Sequence, residues 1–292
     1  MTNPTTNHTN TTKGRVLITG AAGGLGRAFA EVFAEHGHDL VLADIDEPGL
    51  VKAANELTAR YGVRADYFPG DLSKTEGAQE LYDAVTAHGI HVEQLVNNAG
   101  AGLQDRVVDI DPDRMIGLIT LNAVSVAVLC RLFGADMVRA GHGRILNVSS
   151  LGALVPDPYF NVYGPTKAFE YRLTEAMYGE LKGTGVTVSV LCPGPIKTNW
   201  AAHAGKADSS TAGDPIDTAR PAYKAMQKGK LTIMPSLLNR VEHGVLSLLP
   251  QKARVDVVAA WQRSLIAKAH AADRPTAPEG RPTTAEARPT TA

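Results

Sequence analysis

Cysteine is almost absent from this 292-residue sequence, the net charge is close to zero, and long apolar runs are missing. Two cysteines, Cys130 and Cys192, cannot build a disulfide framework or a paired metal motif, and the histidines show no metal-like spacing. A formal net charge of -1 leaves no electrostatic footprint for nucleic acid. No run approaches the ~20 apolar residues of a membrane span, and no secretory leader is recognisable. These absences favour a cytoplasmic protein that acts on a small molecule, holds no metal and does not enter a membrane.

The chain divides into one large domain and two tails. Residues 1–13 are rich in Thr and Asn and are expected to form a disordered leader. Residues 271–292 repeat the triplet R-P-T and are expected to form a disordered tail, because proline in every copy excludes a coiled coil. The domain is therefore expected to occupy residues 14–270, with 44% hydrophobic residues available for its core.

Short apolar runs alternate with longer helical patterns over most of this domain, as expected of buried parallel strands joined by crossover helices. We predict a single doubly wound α/β domain of the Rossmann type, with a mostly parallel seven-stranded sheet flanked by helices. The strand candidates include VLIT at 16, LVLA at 40, QLVN at 94, RILNV at 144, VTVSVLC at 186 and LTIMP at 231, and the helix candidates include Leu25 to Glu35, Phe169 to Leu181 and Thr218 to Lys228.

The pattern changes in the last third of the domain. Residues 199–216 have little apolar periodicity and are expected to form a mobile substrate loop. Helices are expected at about 236–270, where Leu237, Val241, Val245, Leu248 and Leu249 form one apolar stripe. This stripe favours packing on the body of the domain or on another subunit, with contact to a membrane surface as the alternative.

A glycine-rich turn, TGAAGGLG at 19–26, follows the first strand and opens a helix. Gly20 and Gly24 would let the backbone approach a pyrophosphate, and Gly26 would let the helix pack closely. Asp44 ends the next strand, where a carboxylate can accept hydrogen bonds from ribose hydroxyls and would repel a 2'-phosphate. NAD is therefore favoured over NADP. The alternative for Asp44 is a solvated acid that starts a loop, with Asp46 as a competitor for the ribose.

Tyr163 and Lys167 are four residues apart, so on a helix they share one face. We expect the ammonium group to favour the phenolate and to lower the pKa of the phenol, which makes Tyr163 a usable proton donor or acceptor. Gly164 and Pro165 separate the pair, and proline is tolerated only in a first helical turn. The helix is therefore expected to begin near Tyr163.

These motifs, with NNAG at 97–100, Ser150 and PGPIKT at 193–198, stand in the order found in the short-chain dehydrogenase/reductase family, which the chain resembles from about Arg15 to Thr198. The resemblance implies a homodimer or homotetramer that uses NAD or NADP without metal. It also implies that Leu25, Leu72, Asn98, Ala99, Gly100, Pro193, Gly194, Ile196 and Thr198 contact the cofactor, together with Tyr163 and Lys167. Asp71 would meet the adenine amine, although a capping role ahead of Ser73 and Glu76 is the alternative.

The resemblance further implies four catalytic residues. Tyr163 would exchange the alcohol proton, Lys167 would bind the nicotinamide ribose, and Ser150, 13 residues before Tyr163, would donate a hydrogen bond to the substrate oxygen. Ser150 is chosen over Ser149 because of that spacing. Asn122 matches a proton-relay position, and a buried amide that only satisfies backbone groups is the alternative.

The function that these residues indicate is the NAD-dependent interconversion of a secondary alcohol and a ketone. An NADPH-preferring carbonyl reductase is the runner-up, and a non-catalytic NAD-sensing protein on the same fold is a third possibility. Residues 101–106, 151–161 and the loop after Thr198 are expected to form the specificity surface. Their side chains, Leu103, Leu151, Leu154, Val155, Tyr159, Phe160 and Trp200, suggest a hydrophobic substrate, although core packing explains several of them equally well.

Overall fold

The computed structural model describes residues 14–198, 200, 204–205, 212–236, 241, 244–246 and 248–272. The expected leader lies outside the described residues, as does the expected tail apart from its first two positions, which end the last helix. Leu237 of the apolar stripe lies outside them too.

Seven strands form one sheet in the order β3-β2-β1-β4-β5-β6-β7, and every neighbouring pair is parallel. The predicted doubly wound α/β fold is therefore confirmed, with a wholly parallel sheet. The strands are β1 (Arg15–Thr19), β2 (Asp39–Asp44), β3 (Ala65–Pro69), β4 (Gln94–Asn97), β5 (Gly143–Val148), β6 (Val186–Leu191) and β7 (Thr232–Ile233).

Eight α-helices lie within the described part of the chain. They are α1 (Gly24–Glu35), α2 (Glu47–Tyr61), α3 (Gly77–Ala87), α4 (Pro112–Ile119), α5 (Ser125–Ala140), α6 (Tyr163–Glu180), α7 (Pro215–Gln227) and α8 (Gln251–Ala272). Alternate strand residues point to opposite faces. Val16 and Ile18 pack in the apolar cluster that contains residues of α1, α2 and α7, whereas Leu17 packs in the one that contains residues of α3 and α5.

Helices α6 and α7 both have predicted starts. Helix α6 begins at Tyr163, as expected from Pro165 in the first turn. Helix α7 begins at Pro215, three residues before the predicted start at Thr218, because Asp214 caps it by accepting a hydrogen bond from the amide of Ile216. The predicted loop at 199–216 is therefore shorter at its C-terminal end.

A π-helical segment, Thr120–Val124, joins α4 to α5 in one continuous helical stretch. The stretch Pro112–Ala140 is long and apolar enough to cross a membrane, contrary to the expectation that no such run exists. Half of its most apolar window is buried inside the domain, as in the core helix of a globular protein. Apolar residues of this stretch pack inside the domain, since Val126, Leu129 and Phe133 lie in the core.

The apolar stripe near the C-terminus does not pack on the body of the domain where the structure describes it. Val241, Val245 and Leu248 are exposed, and Leu249 is partly buried. The three exposed residues therefore do not pack on the body of the domain, and packing on another subunit stays a prediction. Helix α8 instead contributes the buried residue Val258.

A ladder of buried polar side chains crosses the centre of the sheet. Asn97 Nδ2 donates to Asn147 Oδ1 at 2.9 Å, and Asn147 Nδ2 donates to Thr174 Oγ1 at 2.9 Å. Thr174 Oγ1 in turn donates to the carbonyl of Glu170 at 2.7 Å. The ladder joins β4 and β5 to α6, which carries the predicted catalytic pair.

We expect Asn147→Ala to lower the free energy of unfolding by about 1–3 kcal/mol, because it removes a buried partner from both Asn97 and Thr174. Urea denaturation measures this change. Asn55→Ala, at an exposed position of α2, is the matched control and should stay within about 0.5 kcal/mol of the wild type. Equal effects of the two changes would show that the ladder does not stabilise the sheet.

Candidate active site

The carboxyl ends of the parallel strands place the predicted motifs along one edge of the sheet. The glycine turn follows β1, the motif NNAG spans the end of β4, Ser149 and Ser150 follow β5, and Pro193 lies two residues beyond β6. Strands β1 and β4 are neighbours at the point where the order of strands reverses. Ligands of doubly wound sheets bind in the crevice at such a point.

The glycine turn forms a cradle that side chains would fill. Gly20 has φ +69°, and a Cβ there would lie 2.8 Å from Asn98 Nδ2. A Cβ at Gly26 would lie 1.9 Å from the carbonyl oxygen of Gly20. Gly24, with φ +55°, opens α1 beneath Thr198, and no side chain caps this helix end. The cradle therefore fits a dinucleotide pyrophosphate, which would meet backbone N–H groups and the positive end of the helix dipole.

Asn98 and Ala99 fasten the end of β4 to the glycine turn. Asn98 Nδ2 donates to the carbonyl of Thr19 at 2.9 Å, and Thr19 Oγ1 accepts from the amides of Asn98 and Ala99. Leu25 is buried behind the turn. These contacts hold the turn in place, so Asn98 supports the cofactor crevice through the backbone that it fixes.

Asp44 lies against the glycine turn. Its Oδ2 accepts a hydrogen bond of 3.0 Å from the amide of Ala22, and its Oδ1 accepts one of 3.1 Å from the amide of Asp46. Asp46, the competing acid, caps α2 by accepting from the amide of Gly49. Of these two acids, Asp44 is thus the one beside the turn, as the ribose role requires.

Asp71 uses its carboxylate locally. Its Oδ1 accepts from both the amide and the hydroxyl of Ser73, at 2.9 and 2.6 Å, and these bonds lower the pKa of Asp71. This geometry matches the capping alternative. The side chain of Leu72 is buried in the core. Only the backbone of Leu72 could therefore contact the adenine of a bound cofactor.

The two adjacent serines have different roles in the structure. Ser149 is buried, and its hydroxyl donates to the carbonyl of Lys167 at 2.7 Å. Ser150 accepts from the amide of Gly152 at 3.1 Å, and its hydroxyl lies near enough to the phenol of Tyr163 to lower the pKa of that phenol. Ser150 is therefore the serine beside the candidate acid, as the family spacing implied.

The pKa of Tyr163 lies above its usual value, which is opposite to the expected direction. Burial is the largest cause. The nearby Ser150 hydroxyl lowers the pKa of Tyr163, whereas the charges of Glu170 and Asp157 raise it. These surroundings therefore favour the protonated form of the phenol. The four-residue spacing to Lys167 does not by itself lower the pKa of Tyr163.

Lys167 points to the floor of the site. Its Nζ donates to the carbonyl of Val148 at 2.8 Å and to Glu170 Oε1 at 2.7 Å, and it lies 5.9 Å from the centre of the Tyr163 ring. A Cβ at Gly100 would come within 3.1 Å of Nζ. Gly100 thus leaves room beside the ammonium group.

Asn122 lies in the π-helical segment, a local widening that often marks functional sites. Its Oδ1 accepts from the amide of Ala101 at 3.0 Å, and its Nδ2 donates to the carbonyl of Ala101 and to Thr166 Oγ1. Thr166 Oγ1 donates to the carbonyl of Tyr163 at 2.8 Å. Asn122 therefore satisfies backbone groups and links the chain after β4 to the first turn of α6.

The segment PGPIKT closes the cofactor side of the crevice. The carbonyl of Pro193 accepts from the amide of Leu151, next to Ser150, at 3.2 Å. Gly194 follows in the same turn, and Ile196 forms an isolated bridge with Gly213. Thr198 then lies over Gly24, at 3.1 Å from a Cβ placed there. The segment is held at both ends and faces the glycine turn.

The three predicted specificity segments meet beside Tyr163. The amide of Asp105 donates to the carbonyl of Tyr159 at 2.8 Å, and the amide of Gln104 donates to the carbonyl of Ala204 at 3.0 Å. Trp200 Nε1 donates to the carbonyl of Gly100 at 3.1 Å, and its ring lies 5.0 Å from that of Tyr163. Trp200 forms an aromatic wall next to the phenol.

Phe160 and Tyr159, two predicted members of this surface, have special environments. Phe160 is 2% exposed and stacks behind Trp200, so it is a core residue. Tyr159 has φ +69°, the left-handed region that favours glycine. Such strain is typical of segments that the surrounding structure holds for a purpose.

Sequence reasoning missed several polar residues around the site. Glu170 pairs with Lys167, and Asp157 accepts a hydrogen bond of 2.9 Å from Gln262 Nε2 of α8. The three-residue spacing of Lys167 and Glu170 was a usable signal. The contact between Asp157 and Gln262 had none, because 105 positions separate them.

A cavity of about 520 Å³ opens at the opposite edge of the sheet. It is lined in part by His38, Gln94, Arg144 and Tyr223, near the amino ends of the strands. Since the predicted motifs lie at the carboxyl ends, we assign this cavity no part in the reaction. Among the described residues, no group of three His, Cys, Asp or Glu side chains could hold a metal ion.

Comparison with known proteins agrees with this geometry. A family model described as short chain dehydrogenase matches residues 14–209. The chain is 35% identical over 207 residues to a probable oxidoreductase, EphD, of Mycobacterium tuberculosis, and the match covers 70% of this chain and 35% of EphD. The chain thus spans about a third of the length of that relative.

Solved structures of similar fold include a short-chain dehydrogenase from Sphingobium yanoikuyae in complex with NADPH. It is 27% identical, with a TM-score of 0.73, over 82% of this chain and 96% of that chain. A short chain dehydrogenase/reductase from Burkholderia phymatum in complex with NAD is 27% identical, with a TM-score of 0.72, over 80% of this chain and 92% of that chain.

We expect Gly26→Ala to lower the free energy of unfolding by about 1–3 kcal/mol, because the new methyl group would collide with the carbonyl of Gly20. Chemical denaturation measures the change. Gly179→Ala, in α6 with nothing within 4 Å of the added Cβ, is the control and should be neutral or stabilising by up to about 1 kcal/mol. A Gly26→Ala protein as stable as the control would show that the turn can accommodate a methyl group at this position.

Proposed function

The chain belongs to the short-chain dehydrogenase family, and on this basis we propose that it interconverts a secondary alcohol and a ketone by hydride transfer with a nicotinamide cofactor. The observation that carries the proposal is the position of the Tyr163 phenol. The phenol lies near Ser150, whose hydroxyl lowers its pKa, and beside the ring of Trp200, and it stands at the same sheet edge as the glycine cradle.

The chemistry of the protein's own residues is proton exchange and charge stabilisation. During reduction the Tyr163 phenol gives its proton to the substrate oxygen, and during oxidation the phenolate takes it back. Ser150 donates a hydrogen bond to the same oxygen, where negative charge develops during reduction. Lys167 contributes an ammonium group 5.9 Å from the centre of the Tyr163 ring, where it is paired with Glu170. Asn122 holds Ala101 and the first turn of α6 in place.

The residues present fit a nicotinamide dinucleotide. The glycine cradle and the uncapped start of α1 would take the pyrophosphate, and Asp44 would take the adenosine ribose. Gly100 and Lys167, which approach each other, would hold the second ribose, and Thr198 lies over the turn. When bound, the cofactor supplies or accepts the hydride. The Asp44 carboxylate supports a preference for NAD over NADP, because it would repel a 2'-phosphate.

The substrate that we propose is hydrophobic. The ring of Trp200 lies against Tyr163, and the partly buried residues Leu103, Leu151 and Leu154 belong to the segments that meet there. Apolar walls with a few convergent polar groups are typical of sites that hold apolar small molecules. The polar groups here, Ser150 and Tyr163, would fix the position of the oxygen that reacts.

We expect Tyr163→Phe to lower turnover by about a hundredfold or more, because it removes the group that exchanges the proton. The measurement is NADH absorbance with a panel of hydrophobic secondary alcohols and ketones. Tyr178→Phe, on the exposed side of the same helix, is the control and should leave turnover unchanged. Full activity of Tyr163→Phe would refute the assigned acid and base.

We expect Asp44→Asn to weaken NAD binding by about tenfold or more, because hydrogen bonds to a charged group are stronger than those to a neutral one. The difference in affinity between NAD and NADP should also become smaller, because the charge that would repel a 2'-phosphate is removed. Dinucleotide titrations followed by cofactor fluorescence measure both affinities. Asp46→Asn removes a carboxylate charge two residues away and keeps a good capping residue. The preference of this variant for NAD over NADP should therefore match that of the wild type. An unchanged preference in Asp44→Asn would assign the ribose to another group.

A further inference from the structure

Helix α6 carries a completely buried glutamate, Glu170, three residues after Lys167. Its Oε1 accepts a hydrogen bond of 2.7 Å from Lys167 Nζ. Its other oxygen, Oε2, is buried without a hydrogen-bond partner. A carboxylate in that position is costly unless a counter-charge holds it. Lys167 and Glu170 therefore behave as one unit, and the proton transfer described above does not account for the glutamate.

Groups from three parts of the fold face this carboxylate. Lys167 and Tyr163 lie on the same helix, Cys130 comes from α5, and Cys192 directly follows β6. Burial raises the pKa of both thiols to about 12, and the charge of Glu170 adds to the rise. Burial raises the pKa of Glu170 itself to about 7, while Lys167 opposes the rise. Lys167 is thus the cation that faces Glu170 among these groups.

We propose that Glu170 is a positioning residue for Lys167, which it holds against the carbonyl of Val148 and whose charge it offsets beside Tyr163. This inference rests on the proposed function. When Glu170 is ionised, the charge of the pair sums to zero and the phenolate gains little from the ammonium group. When Glu170 is neutral, the ammonium group is uncompensated and stabilises the phenolate. The acidity of Tyr163 therefore depends on Glu170.

The direction of the effect follows from the charges. A neighbouring negative charge disfavours a second one, and the Glu170 carboxylate does raise the pKa of Tyr163. Replacing it with a neutral group must then lower the pKa of the phenol. Asp157 also raises that pKa and stays in place when Glu170 is changed, so the shift reports on Glu170 alone.

The test is the pH dependence of kcat/KM in Glu170→Gln, whose amide keeps the size of the side chain and an oxygen that can accept from Lys167. We expect the midpoint for alcohol oxidation to move to lower pH by about one unit. Well below the wild-type midpoint, kcat/KM for oxidation should then rise by up to about tenfold. The falling limb for ketone reduction should move in the same direction, since reduction needs the protonated phenol.

Glu175→Gln provides the matched control. Glu175 lies on the same helix, three residues after the cation Arg172, with which it forms an ion pair at the surface. Its pH profile should match the wild type. Glu170→Asp keeps the carboxylate and should remain closer to the wild type than Glu170→Gln does. A purely structural role would lower activity in Glu170→Gln without moving the midpoint.

A measurement without turnover separates this inference from the proposed function. Phenolate absorbance is titrated in the wild type and in Glu170→Gln, each compared with a matching protein that also carries Tyr163→Phe. Tyr163 should ionise at lower pH in Glu170→Gln, whether or not any alcohol is oxidised. A folded Glu170→Gln protein with unchanged Tyr163 ionisation would overturn the inference and leave the proposed function standing.

Infrared titration of the wild type carries the test if Glu170→Gln does not fold. We expect a buried carboxylic acid whose proton is lost as the pH rises through neutrality, in line with the raised pKa of Glu170. A Glu170 carboxyl group that kept its proton throughout the working pH range would carry no charge to offset that of Lys167, and would overturn the inference.

Discussion

Seven strands that run in one direction leave all their carboxyl ends along a single edge, and the candidate site depends on this constraint. The turns after β1, β4, β5 and β6 have no other place to meet. Because the strands are buried on both faces, their apolar residues fix the register of the sheet and hence the separation of these turns. The close approach of Gly26 to the Gly20 carbonyl then decides that the first turn is a concave cradle with a helix behind it.

Polar groups in this interior are tied to the sheet and to each other. The ladder of Asn97, Asn147 and Thr174 reaches the backbone of Glu170, whose side chain holds Lys167. Asn122 binds Ala101 on one side and Thr166 on the other. The first turn of α6 is therefore fixed by hydrogen bonds from the central strands and from the π-helical segment. A general acid needs such support, because its proton has to be delivered at a defined position.

Electrostatics in the site follow burial more than spacing. A lysine four residues from a tyrosine would be expected to make the phenol more acidic, yet burial and two nearby carboxylates raise the pKa of Tyr163. Burial of the phenol is the largest cause, and the ammonium group of Lys167 is itself paired with the buried Glu170. An ion pair of this kind has little field outside itself, whereas desolvation acts fully on the phenol. The charge that acts on the phenol thus depends on Tyr163, Lys167 and Glu170 together.

The sequence by itself determined the fold class and the start of α6, because strand periodicity and proline placement are local patterns with long consequences. It also distinguished Ser150 from Ser149 by spacing. The tertiary structure decided what each polar group meets: Asp71 with Ser73, Asn122 with Ala101, Asp157 with Gln262, and Lys167 with Glu170. Partners and burial arise when distant segments pack together, and both the strength of a hydrogen bond and the pKa of an acid depend on that packing.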